Sequence, residues 1–332
     1  MNIFVGRNMV SYTGVALPGR AGRRTQGLAK RRARILTSVA VMMLVVGAAA
    51  AGSGVAHAAP QGHTTAGATL PTLRPDGRCL DIATVRDRLE QLEDAGFRTV
   101  RLNTAAACDL LSVVLPIAQR KGIGVDVGLA VRSEKLFDRE KIALERAFRL
   151  HGFAGIGHVI VGREALERRE VSAARLADSV REIKDMLQHD FGYNIPVGVT
   201  DTLGSWADPV NAEVLHAVDF IGLEVQPYRG GAAVEDALTY LRDRVAAARL
   251  ATKPKPLVVE TGWPSRGPER YAAAPGIADE SAYYYAATTW LISQQLPFTW
   301  HTGWDDPTRG PIADAHSGLW HADGEAKFPL TR

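Results

Sequence analysis

From residue 82 onward, short apolar runs rich in β-branched residues alternate with amphipathic segments of helical period. The runs are FRTVRLN (97–103), IGVDVGLAV (123–131), HVIVGRE (158–164), IPVGVT (195–200), DFIGLEV (219–225), PLVVETGW (256–263) and FTWHTGW (298–304). Between them lie helical stretches such as ATVRDRLEQLEDAG, closed by Gly96, and VSAARLADSVREIKDMLQHDFG, opened by Ser172. Pro116, within DLLSVVLPIAQRKG, predicts a kink or a helix start. Strands that each hand over to a helix form a parallel sheet covered on its faces. Seven such units are clear, and a degraded first strand before Cys79 would make eight. The 274 residues after Ala58 fit a (β/α)8 barrel of about 250 residues. An open doubly wound sheet is the competitor, but it carries a glycine-rich phosphate turn after its first strand, and none is present. The expected fold class is α/β, a (β/α)8 TIM barrel.

The 332 residues carry a net charge of +3, and that sign comes from one end. Residues 1–58 hold Arg7, Arg20, Arg23, Arg24, Lys30, Arg31, Arg32 and Arg34 with no acid at all. Without those eight, the 39 basic residues fall below the 36 acidic ones, so nothing points to nucleic acid as a partner. The basic stretch runs into ILTSVAVMMLVVGAAAA (35–51) and then Ala56-His57-Ala58, the small-x-small pattern of a signal peptidase site. Residues 1–58 therefore read as a signal peptide cut after Ala58. An uncleaved anchor is the alternative, and it would be the chain's contact with a membrane. Residues 59–77 read as a linker or weak first strand, and 78–332 as the barrel. Either fate of the leader places the domain in a secreted or periplasmic setting. There the two cysteines, Cys79 and Cys108, favour a disulfide over a pair of buried thiols.

Barrel enzymes build their sites at the carboxyl ends of the strands. Polar residues at those ends include Asn103, Glu164, Glu224, Gln226, Glu260, Asp305 and Asp306. Glu164 and Glu260 each terminate an apolar run, at the fourth and seventh strands, where a carboxylate is costly unless solvated or paired. Two carboxyl groups converging across a barrel mouth at about 5 Å have the geometry of a retaining glycosidase. The plainer alternative is that each glutamate pairs with an arginine at the rim. No His, Cys and Asp cluster has metal-ligand spacing, with His158, His301 and His316 scattered, so neither metal nor cofactor is expected.

The residues also carry a resemblance. DGRCLDIATVRDRLEQLEDAGFRTVRL with Cys108, VIVGREALERREVSAARLADSVREIK, IGLEVQPY, VVETGWPSRG and WDDPTRGPIADAHSGLWHADGEAK together resemble glycoside hydrolase family 17, in its bacterial and fungal β-1,3-glucanase-like branch. The likeness spans roughly Asp76 to Lys327, and VVETGWPSRG is its most specific part. It implies a retaining β-glucan hydrolase or transglycosylase with Glu260 as nucleophile, Glu164 as acid/base, and a β-glucan polysaccharide or oligosaccharide as partner. Tyr228, Trp263 and Trp304 would line sugar subsites, since aromatic faces stack on the apolar face of a pyranose.

Three positions depart from the family pattern. Arg163 stands where the family has the asparagine that contacts the sugar 2-hydroxyl. A cation there favours the ionised form of its neighbour, whereas a general acid works by holding a proton. RLNTAAAC offers Asn103 and small residues where an aromatic is expected, and Thr308-Arg309 replaces Trp-Lys. These departures keep open a second reading, a catalytically impaired glucan-binding barrel.

Overall fold

The computed structural model describes residues 66–331, so the leader expectation lies outside the described residues. Eight parallel strands close into a barrel in sequence order. They are β1 (Ala66–Leu70), β2 (Thr99–Leu102), β3 (Gly124–Leu129), β4 (Ile156–Arg163), β5 (Val197–Thr202), β6 (Phe220–Val225), β7 (Leu257–Thr261) and β8 (Phe298–Trp300). The helices between them are α1 (Ile82–Asp94), α2 (Leu110–Lys121), α3 (Glu134–His151), α4 (Ala173–Phe191), the short α5 (Leu203–Ala207) and α6 (Ala212–Ala217), α7 (Val234–Ala251) and α8 (Ile277–Ser293). The expected barrel is present.

The first stave lies within residues 59–77. The strand AGATL pairs with β2 on one side and β8 on the other, so the barrel begins upstream of residue 78. Its small residues make it a weak strand signal. Helix ends follow ordinary rules. Ser172 accepts from the Arg175 amide at 3.2 Å to start α4, a cap worth about 1 kcal/mol. Gly122 and Gly192 close α2 and α4 in the left-handed region. Pro116 lies inside α2. The Cys79–Cys108 disulfide is formed, tying the start of α1 to the loop after β2.

The strands turn their aliphatic side chains to the helices and keep mostly polar or small ones, with Phe220, for the barrel interior. Val100, Leu102, Val125, Val127, Val159, Val161, Val197, Val199, Ile221 and Leu223 are buried in the sheet–helix layer. Alternate positions carry Thr99, Arg101, Asp126, His158, Thr200, Phe220, Glu224 and Glu260. Glycine is required where those side chains crowd: a Cβ on Gly222 would lie 2.2 Å from Thr200 Oγ1. The barrel is thus filled by ionic and polar groups, from the His158–Asp126 pair at 2.9 Å through buried Arg101 to the carboxylates at the mouth.

Candidate active site

One irregularity in β4 builds the site. Ile160 pairs with Gly198 but Arg163 pairs with Thr200, so three residues of β4 span two of β5. This bulge reverses the side-chain alternation, bringing Arg163 to the interior face it would otherwise miss. Gly162 takes φ +83° within it. Glu164 follows at φ +51°, unusual for a residue with a side chain, and its amide donates to Thr200 O at 2.8 Å. Such a conformation costs on the order of 1–2 kcal/mol and concentrates at functional sites. Consecutive residues thereby both face the mouth.

Arg163 contacts three carboxylates with one guanidinium. Its Nε donates to Glu260 Oε1 at 2.6 Å, its Nη2 to Glu224 Oε1 at 2.7 Å, and its Nη1 lies 3.7 Å from Glu164 Oε2. Glu224 and Glu260 are adjacent in register on β6 and β7. Arg229 closes the cluster from the β6–α7 loop: Nη1 donates to Glu164 Oε1 at 2.8 Å and to Glu224 Oε1 at 3.2 Å, and Nη2 pairs with Asp314. Arg168, four residues after Glu164, pairs with Glu164 Oε2. Both glutamates singled out from the sequence are therefore paired with arginine, and with a shared one.

The electrostatics separate the two strand carboxylates. Burial pushes the Glu260 carboxyl up, but Arg163, Arg101 and Arg229 outweigh it and hold Glu260 below the ordinary carboxylate value. Burial dominates at Glu224, and the neighbouring Glu260 charge adds to it, so Glu224 is pushed up to about 6 despite Arg163 and Arg229. His301 Nδ1 stands 3.4 Å from Glu260 Oε1, and burial with the surrounding arginines drives this imidazole well below its usual range. It is therefore neutral at pH 7. Oε2 of Glu260 and Oε2 of Glu224 are buried and accept no hydrogen bond from the protein.

A cleft of about 510 Å³ opens beside the cluster, walled by Glu164, Glu224, Gln226, Arg168, Arg229 and residues of α5 and α7. Glu260 and Arg163 are not part of its wall. Residues 67–320 match the BtgE/BtgC glycoside hydrolase domain. The chain belongs to this glycoside hydrolase family. Among its relatives, a glucan 1,3-beta-glucosidase of Arthroderma benhamiae is 28% identical over 280 residues, covering 79% of this chain and 89% of the relative. One from Candida albicans is 24% identical over 273 residues, covering 77% and 88%. A glycoside hydrolase family 17 beta-1,3-glucanosyltransferase from Rhizomucor miehei superposes with a TM-score of 0.73 at 22% identity, covering 81% of this chain and 97% of that one.

Within this glycoside hydrolase, other residues expected at the site fall elsewhere. Trp263 is completely buried, in contact with Tyr228 and Tyr283, and its Nε1 donates to Ala274 O at 3.2 Å. Trp304 is also fully buried, stacked on Trp320 with Arg88 over its ring and Nε1 donating to Gln91. A ring with no exposed face cannot stack on a sugar, so both are core residues, not subsite walls. Tyr228 is 5% exposed, its hydroxyl donates to Pro268 O, and it packs edge-on against Trp263 behind the cleft. Asp305 accepts from Gly318 N at 3.0 Å and pairs with buried Lys327 at 2.8 Å, a structural role. Asn103 is half-buried after β2, with its Oδ1 unpartnered.

Sequence reasoning missed Arg168, Arg229, Asp314, Arg101 and His301. Arg168 had a usable signal, its four-residue spacing from Glu164. Arg229 directly follows the Pro-Tyr of the sixth-strand segment and was open to notice there. Asp314 reaches the site through a loop, which spacing does not disclose.

Proposed function

We propose that this protein is an exported retaining β-glucan hydrolase or transglycosylase of the β-1,3-glucan type, with Glu260 as nucleophile and Glu164 as acid/base. The observation that carries this reading is the meeting of Glu164, directly after β4, and Glu260 of β7 on one guanidinium, Arg163. The glucan 1,3-beta-glucosidases among its relatives, and a Rhizomucor miehei glucanosyltransferase mutant in complex with laminaritriose, support the substrate class.

Glu260, held ionised by its arginines, suits attack on the anomeric carbon. Glu164 delivers its proton to the leaving glycosidic oxygen as the C–O bond breaks, giving a glycosyl-enzyme ester. The Glu164 carboxylate then takes a proton from water, or from a second sugar's hydroxyl, as that oxygen displaces Glu260. Water completes hydrolysis, and a sugar completes transfer. Export is supported by the leader and by the disulfide, which suits an oxidising compartment.

A second reading is favoured by one observation. The nucleophile candidate is salt-bridged to Arg163 and lies off the cleft wall, as in a glucan-binding barrel without turnover. Incubating protein lacking the leader with laminarin and laminari-oligosaccharides separates the two. Chain shortening or transfer products that vanish in Glu260→Gln support the enzyme, whereas binding without turnover at any pH overturns it.

A further inference from the structure

The cleft offers sugar a set of charges where apolar faces would be expected. Of its lining residues the aromatic one is Tyr240, on α7, and the guanidinium of Arg244 lies 4.7 Å from that ring's centroid, capping one face. Trp263 and Trp304 are withdrawn into the core. Tyr271, 90% exposed, stands on the β7–α8 loop outside the lining. Its cationic groups are Arg168, Arg229 and Arg244, matched in number by Glu164, Glu167 and Glu224.

Carboxylates line it too, but they differ in availability. Glu164 and Glu224 are buried and already accept from Arg229, Arg163 and Arg168. Exposed Glu167 accepts from the Thr202 hydroxyl at 3.0 Å. On the cationic side, the Arg168 side chain is 49% exposed and binds Glu164 through one nitrogen, leaving donors directed elsewhere. Arg244 is exposed and has no carboxylate partner among the described residues. The unused donors of Arg168 and Arg244 suit an oxyanion better than a neutral hydroxyl, since guanidinium directs paired donors at one.

Resting on the glycosidase reading above, we propose that the saccharide bound in this cleft carries an oxyanion, as a uronate carboxylate or a sulfate or phosphate ester, received by Arg168 and Arg244. The site is selective by charge, and unmodified laminari-oligosaccharides are its weaker ligands.

Titration calorimetry on the Glu260→Gln protein tests this with laminaritetraose, its C6-oxidised uronate counterpart and a sulfated counterpart. At least one anionic ligand should bind tenfold or more tighter than the neutral one. That advantage should shrink as salt is raised from about 25 to about 300 mM. It should be lost in Arg244→Gln and largely kept in Arg244→Lys. Whether the carboxylate or the sulfate is preferred identifies the source of the oxyanion. Equal or tighter binding of the neutral sugar, or an advantage indifferent to Arg244→Gln, overturns the proposal. The wild-type ratio of kcat/KM for the same ligands gives a reading independent of the Glu260 substitution. Equal turnover of neutral and anionic sugars would sink charge selectivity and leave the glycosidase reading standing. Selective anion binding with no cleavage would do the reverse.

Discussion

Arg163 Nε donates to Glu260 Oε1 at 2.6 Å, so the strand that ends in one catalytic carboxylate candidate supplies the cation that holds the other. Because Arg163 and Glu164 are consecutive, any change at the bulge moves the acid/base and the restraint on the nucleophile together. A permanent charge stands where the family pattern has a neutral amide. Its consequences are opposite for folding and for turnover.

Replacing Arg163 with Asn should destabilise the fold and raise activity. Removing one partner of a buried ion pair costs about 3–5 kcal/mol, and Glu260 and Glu224 would both lose their shared cation. Freeing Glu260 from a charge-assisted hydrogen bond worth about 1.5–3 kcal/mol should raise kcat on neutral laminari-oligosaccharides on the order of tenfold. Denaturant melts and initial rates, normalised to folded protein, measure both. A fall in kcat would mean that Arg163 is a substrate contact and not a restraint.

Glu224 makes a pH-dependent contribution of definite sign. It protonates at about 6 in the folded protein against 4.5 unfolded, so the folded state binds the extra proton between those values. Stability from this group is therefore present in full below pH 4.5 and is lost as pH rises to about 6. Relative to wild type, Glu224→Gln should gain on the order of 1–2 kcal/mol across that window and stay level above it. Parallel urea titrations at a series of pH values would reveal it; a constant difference would show that Glu224 ionises without a folding penalty.

Trp263→Ala distinguishes a core tryptophan from a sugar platform. Truncating a fully buried indole should cost about 3–5 kcal/mol. In the fraction that remains folded, KM for laminari-oligosaccharides should change less than threefold or so, since no face of the ring reaches the cleft. A protein of wild-type stability with a steeply raised KM would restore Trp263 to the substrate site.

What local pattern discloses and what it hides divide along physical lines here. The strand–helix rhythm reports burial against helices, and that burial is why the β-branched runs of β3, β5 and β6 stand out. β1 barely registers because AGATL fills its place with small residues. Glu164 and Glu260 are visible because a carboxylate closing an apolar run is conspicuous whatever surrounds it. The arginines that surround them are not, since Arg163 turns inward only through the β4 bulge and Arg229 and Asp314 meet through loops. Trp263 and Trp304 mislead for a related reason. A tryptophan beside a glycine at a strand exit has the same local sequence whether its ring faces solvent or the core, and packing by Tyr283 and Trp320 decides it.

The most direct measurement is to trap the glycosyl-enzyme. Incubation with a 2-deoxy-2-fluoro laminari-oligosaccharyl fluoride slows release of the intermediate, and mass spectrometry of the digested protein locates the ester. The label should fall on the peptide containing Glu260, and it should be absent in Glu260→Gln. A label on Glu224, or protein left unmodified after prolonged incubation, would contradict the assignment of Glu260 as nucleophile.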